Sequence, residues 1–243
     1  MSEIFKYEFL NNSPVIEGNL FLQFKNKIEL PELKKVSEWN HEGVTVSEIK
    51  NYNIDATNLK SKDNVKSTID IVGFRIEDKN LNSVTILRKN DILVSMKEPY
   101  EGWSKLERKF SSTIDNINYK SEIDPRFVGC RFINRFKIRI SNNFKIEDYF
   151  NVNLQFKNSY ISSIHNYAFR FTHKKDELQA TVNFALDQDL SNNYAIITFD
   201  IEVIKPVQKD DLISGNLNLN KIRDFKNYIF HKSLTEKTLN LFR

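Results

Sequence analysis

Cysteine is all but absent: Cys130 stands alone in 243 residues, which excludes an intramolecular disulfide and leaves cohesion to an apolar core. Glycine (6) and proline (5) are scarce too. Neither the P-loop nor the Gly-x-Gly-x-x-Gly spacing occurs, which argues against the common nucleotide cradles, and a Gly-x-Ser-x-Gly nucleophile elbow is missing. Four histidines, His41, His165, His173 and His231, are scattered, with no His-Glu-x-x-His, His-x-His or paired cysteines to bring zinc ligands together. No apolar run approaches the roughly 20 residues of a membrane-spanning helix. The start Met1-Ser2-Glu3-Ile4-Phe5-Lys6 lacks the basic and apolar regions of a signal peptide. The expectation is a soluble, reduced, cytoplasmic protein with no cofactor, no metal and no membrane partner.

What the chain does have is material for a core: 40% apolar residues, among them 19 phenylalanines, ample at this length. The net charge of +4 is unevenly placed. Lys221, Arg223, Lys226, Lys232, Lys237 and Arg243 face only Asp224 and Glu236 in residues 221–243, leaving 30 basic and 30 acidic residues in 1–220. Ile222, Phe225, Ile229 and Phe230 form a helical stripe in this tail, and Leu234, Leu241 and Phe242 continue it after a break near Ser233. A basic amphipathic tail docks on nucleic acid, an anionic surface or an acidic partner groove; its ordinary alternative is a terminal helix with a solvated cationic face.

Period-two alternation predicts strands over 14–24, 44–49, 69–77, 84–88, 92–96, 126–140, 152–156, 160–171, 178–186 and 194–205. Polar turns such as Asp78-Lys79-Asn80 and Lys89-Asn90-Asp91 favour antiparallel hairpins. Helical spacing predicts short helices at Pro31 to Trp39 and Ile146 to Phe150. A longer helix is predicted where Trp103, Leu106, Phe110, Ile114 and Ile117 share a face, with Ser104 and Glu107 at capping-box spacing. The fold class is α+β, a largely antiparallel sheet with two longer helices. The order of elements runs twice, over 1–121 and 122–243, as expected of two diverged β-rich halves or of one continuous domain.

Several blocks stand in order: Asn12-Ser13-Pro14-Val15-Ile16-Glu17, Phe74-Arg75-Ile76-Glu77-Asp78, Pro99-Tyr100-Glu101-Gly102-Trp103, Arg131-Phe132-Ile133-Asn134-Arg135 and Glu147-Asp148-Tyr149-Phe150, with Phe230-His231-Lys232-Ser233-Leu234-Thr235 in the tail. In these the chain resembles an uncharacterised, sporadically distributed bacterial family of about this length. The resemblance brings no established activity. Patchy distribution of that kind is common among bacterial defence and mobile-element genes, so it implies a setting in antiviral defence or toxin control only by association.

Parity sorts the strand around Asn134 into an apolar face (Val128, Cys130, Phe132, Asn134, Phe136, Ile138) and a basic one (Arg131, Arg135, Lys137, Arg139). Arginines beside aromatics on a sheet can hold phosphates and stacked bases. The same row can instead answer Asp200 and Glu202 across the sheet. Asn134, among apolar neighbours, needs partners, and a bulge or loop backbone would supply them. Tyr100 and the tail residues Lys221, Arg223 and Lys226 are the candidate contacts with a partner. Asp70, Glu77 and Lys79 resemble the acid, acid-x-Lys spacing of a metal-dependent nuclease, though Glu77-Asp78-Lys79 also reads as a hairpin turn. The favoured function is a non-catalytic binding or assembly component working through a protein partner encoded nearby or a second copy of the chain. A nucleic-acid or nucleotide binder comes next, and a nuclease last.

Overall fold

Alternating apolar and polar residues become strands because each apolar side finds a helix or a neighbouring strand to cover it. The computed structural model describes residues 10, 12–38, 43–55, 66–117, 122–141, 144–152, 166–189 and 192–243, with the backbone alone at 53–55, 66 and 67. The strands are β1 (Val15–Phe24), β2 (Val44–Asp55), β3 (Lys66–Asp78), β4 (Ser83–Arg88), β5 (Asp91–Lys97), β6 (Pro125–Arg139), β7 (Tyr167–Lys175), β8 (Leu178–Asp189) and β9 (Tyr194–Pro206). They form one sheet in the order β2-β3-β4-β5-β1-β6-β9-β8-β7. Every pairing is antiparallel. In the first group of strands β5 returns to pair with β1, and in the second β9 returns to pair with β6. The two opening strands, β1 and β6, pair with each other at the centre.

The helices are α1 (Leu30–Ser37), α2 (Trp103–Asp115), α3 (Lys209–Ile213), α4 (Leu219–Ser233) and α5 (Glu236–Leu239). α1 lies against β3 and β4, α2 against β1 and β5, and α4 against β6, β8 and β9. Leu20, Leu22, Val94, Val128, Cys130, Phe132, Phe136 and the odd positions of β9 from Ala195 to Val203 are buried in one continuous core. Phenylalanine fills its second half: Phe136 meets Phe150 edge-on at 5.1 Å, and Phe150 meets Phe184 at 5.1 Å.

The α+β class, the antiparallel sheet and the two longer helices are as the sequence predicts. Some local expectations are not. The capping box at Ser104 and Glu107 does not form, because the N-cap is Gly102, at φ 107°, with Ser104 already inside the first turn. Glycine takes that conformation without a Cβ clash, and the chain turns there at the expense of a side-chain cap. The segment Ile146 to Phe150 shortens to a 3-10 turn, Ile146–Asp148, after which Phe150 bridges to Leu234. Strand β2 runs on to Asp55 because β3 continues alongside it. Trp39, the strand expected at 152–156 (beyond Val152) and the first part of that expected at 160–171 lie outside the described residues.

Candidate functional site

The two sequence blocks 99–103 and 131–135 meet in space, over the centre of the sheet. At the start of β1 the ladder is irregular: Val15 pairs with Asn134 and Glu17 with Ile133, leaving Ile16 as the extra residue of a bulge. The neighbouring chain is tied to this irregularity, since the Glu98 N–H donates to the Ile16 carbonyl (3.0 Å) and the Arg135 N–H to that of Pro14 (2.9 Å). Asn134, 1% exposed, donates its side-chain amide to the Phe199 carbonyl at 2.9 Å. Its partner is therefore backbone, as a buried amide requires, but that of the regularly paired strand β9 and not of a bulge or loop.

Gly18 follows the bulge, and its missing side chain makes room for two rings. A Cβ there would stand 2.8 Å from Phe132 and 2.9 Å from Tyr100. Tyr100 meets Phe132 edge-on (5.6 Å between centroids), and Trp103 stacks against Phe132 at 6.1 Å. From α4 the Lys226 ammonium lies over the Phe132 ring, 4.3 Å from its centroid, and the Arg223 guanidinium over Trp103 at 5.8 Å. Between these groups is a cavity of about 530 Å³. Its lining also includes Val15 and Phe230, with Glu98 and Glu101 exposed at its edge.

The electrostatics of the cavity are unusual for a protein interior. Burial pushes the Lys226 ammonium down to about 8, and the Arg223 guanidinium on the same helix adds to that shift. Burial also pushes the Cys130 thiol up to about 12 and the Tyr100 hydroxyl well above its usual range. Among the described residues the Tyr100 hydroxyl and the Trp103 indole nitrogen are buried with no hydrogen-bond partner. A lysine held below its ordinary pKa is a stability cost at neutral pH. That cost is fully present below the folded-state value and is relieved as pH rises from about 8 towards the unfolded value near 10.4. Lys226→Met is therefore expected to raise stability at pH 7 by about 1 to 2 kcal/mol, a figure discounted for the solvent Lys226 still meets. Urea denaturation at pH 7 and at pH 10 checks this: the variant's advantage narrows at the higher pH, and a variant less stable than wild type at pH 7 contradicts it.

The residues singled out in the sequence scatter over three places. Tyr100, Arg223 and Lys226 come together at the cavity, whereas Lys221 points elsewhere and pairs with Glu177 at 3.1 Å. Arg131, Arg135, Lys137 and Arg139 do line the opposite face of β6. There Arg131 is bound in a two-pronged pair with Asp200 (2.9 and 2.8 Å), which Asn183 also joins at 3.0 Å, and Lys137 lies over the Tyr194 ring at 4.3 Å. The cross-strand charge match thus accounts for Arg131. Other tail cations are engaged too: Lys237 with Asp148 and the Tyr149 ring, Arg243 with Glu236. Asp70 and Glu77 sit on one strand seven residues apart, about 23 Å at strand rise, and Glu77 pairs with Arg75. They cannot share a metal ion. Among the described residues no three His, Cys, Asp or Glu side chains come within range of one metal; His41 and His165 lie outside them.

Sequence reading did not connect Lys226 to Phe132, 94 positions away. A signal was present: Lys226 follows Ile222 by four and precedes Ile229 by three, so it interrupts the apolar stripe of α4 with a charge. No family model matches this chain, and no curated protein matches it by sequence.

Proposed function

We propose that the protein is a non-catalytic binding or assembly component that works through a protein partner. The observation that carries this reading is the outer end of the β2–β3 hairpin. β4 pairs with β3 only over Gly73 to Asp78, so Lys50–Asp55 and Lys66–Ile71 continue as a two-stranded ribbon. Tyr52 and Ile69 lie opposite each other on it, 65% and 58% exposed. Such a ribbon is marginally stable alone, and a cross-strand pair of an aromatic with a β-branched residue adds only about 0.2 to 1 kcal/mol. An apolar pair displayed on an edge strand suits a partner that covers it or adds a strand to β2. The family resemblance drawn from the sequence adds a bacterial defence or toxin-control setting, for which a flanking toxin or nuclease gene would be the first sign.

Site-specific photo-crosslinking in the producing cell tests the reading. A crosslinker in place of Tyr52 is expected to give a discrete adduct with a second polypeptide, lost with Ile69→Asp, while one in place of the exposed Lys35 on α1 gives none. Equal adducts at both positions, or none at Tyr52, would refute it.

The basic face of β6 supports a second reading, nucleic-acid binding, because Arg135 and Arg139 form no ion pair among the described residues. With Arg131 occupied by Asp200 and the tail cations Lys221, Arg223, Lys237 and Arg243 in ion pairs, binding at physiological salt is expected to be weak. Tight binding with a log K against log salt slope of about −0.9 per contacted phosphate, abolished by Arg135→Ala with Arg139→Ala, would replace the partner reading.

A further inference from the structure

Two side chains that line the cavity over Phe132 carry buried hydrogen-bond donors that are unmet among the described residues. The Trp103 indole N–H only donates, and the Tyr100 hydroxyl is a donor in want of an acceptor; neither finds a partner among the described residues. Lys226 has the face of Phe132 but no ion pair with a described carboxylate. Leaving buried donors unmet is costly, and native proteins do so rarely. All three groups are arranged around one ring, Phe132, with Phe230 and Val15 adding apolar lining. A volume of about 530 Å³ is that of a small-molecule site.

We propose that this cavity binds a small organic acid, a single carboxylate carried on an apolar body, with the carboxylate beside Lys226 and within the donor set of Tyr100 and Trp103 and the body against Phe132 and Phe230. The charge balance selects this class. Lys226 is a point charge suited to one anion, whereas a phosphate dianion is best met by a free guanidinium fork. Arg223 is not free: it lies over Trp103 and donates through Nε to Asp224 at 3.2 Å. Glu98 and Glu101 at the edge oppose a second negative charge, although Lys105 partly neutralises Glu101 at 2.6 Å. The titratable groups facing Lys226 are Cys130 below it, Tyr100 beside it, Arg223 on its own helix, and His231, Glu98 and Glu101 around the cavity. Lys226 changes charge near pH 8, so carboxylate affinity is expected to fall as pH rises through that value.

Two-dimensional 1H–15N NMR of the full chain tests the proposal, with Trp103→Phe assigning the Trp103 indole resonance. Phenylacetate and octanoate are the probes, phenylacetamide is the uncharged control, and inorganic phosphate is the anion control. The expected result is a saturable shift of the Trp103 resonance by both carboxylates and at least tenfold weaker binding of phenylacetamide. Inorganic phosphate should give no shift. Lys226→Met should lose at least tenfold in carboxylate affinity, and Tyr100→Phe, which removes one oxygen, threefold to tenfold. Wild-type affinity should drop about tenfold between pH 7 and pH 9. The proposal is overturned if neither carboxylate shifts the resonance at millimolar concentration, if phenylacetamide binds as well as phenylacetate, or if folded Lys226→Met and Tyr100→Phe both bind like wild type. A shift by phosphate matching that by phenylacetate would overturn the monocarboxylate assignment.

Discussion

Phe136→Ala is expected to lower the unfolding free energy by about 3 to 5 kcal/mol, the range for truncating a fully buried phenylalanine. Phe136 is 0% exposed and its ring joins four segments that are distant in sequence. It projects from β6, meets Phe150 edge-on at 5.1 Å, stacks near Phe230 of α4 at 6.4 Å and meets Phe242 at 5.3 Å. Removing it costs the transfer free energy of the ring and leaves a cavity that three other rings cannot easily close. Urea denaturation followed by circular dichroism measures the loss. A change under 1 kcal/mol would mean that these rings repack freely. Because α4 carries Lys226 and Arg223, the same cluster holds the cavity's cations in place. Removing residues 221–243 altogether would expose Phe136 and Phe199, which also contacts Phe230; point substitutions such as Lys226→Met are the cleaner probe of the tail.

Lys109→Met is expected to cost about 2 to 4 kcal/mol, because it leaves a buried carboxylate without its cation. The Lys109 and Asp78 side chains are only 18% and 4% exposed, 3.0 Å apart, and they tie the β3–β4 turn to α2. Asp78 also accepts from the N–H groups of Asn80 (3.1 Å) and Leu81 (3.2 Å). Burial works to raise the Asp78 carboxyl, but Lys109 and these two N–H groups together outweigh it and hold it below its ordinary value. A carboxyl depressed in the folded state contributes stability that is fully present above its unfolded value, near 3.9, and is lost as pH falls through the folded value. Wild type should therefore lose stability below about pH 4. Asp78→Asn, already weaker at pH 7, should lose less over the same interval. Parallel acid profiles for the two proteins would show that the pair contributes nothing to pH dependence.

Much of the architecture is determined locally. Alternation over Leu20 to Phe24 and Val128 to Ile138 specifies strands with one buried face, and the spacing from Leu106 to Ile117 specifies α2, because side-chain periods of two and 3.6 follow from backbone geometry alone. The polar turns at Lys79 and Asn90 make consecutive strands antiparallel neighbours. Charge parity on β6 and β9 likewise anticipates that Arg131 meets an acidic side chain, although its partner is Asp200, diagonally across, and not Glu202, which the register sets directly opposite. What local patterns could not decide is long-range pairing: that β5 and β9 return to β1 and β6, and that those two strands join at the centre. The cavity depends on that joining. It brings Tyr100 and Trp103, which follow β5, against Phe132 of β6 and Lys226 of α4, and makes the interruption of an apolar stripe into a desolvated cation beside unmet donors. Periodicity says which side of an element is buried. Which other element buries it is decided by strand order, through contacts between residues far apart in the chain, and desolvation and the Lys226 pKa follow from that encounter.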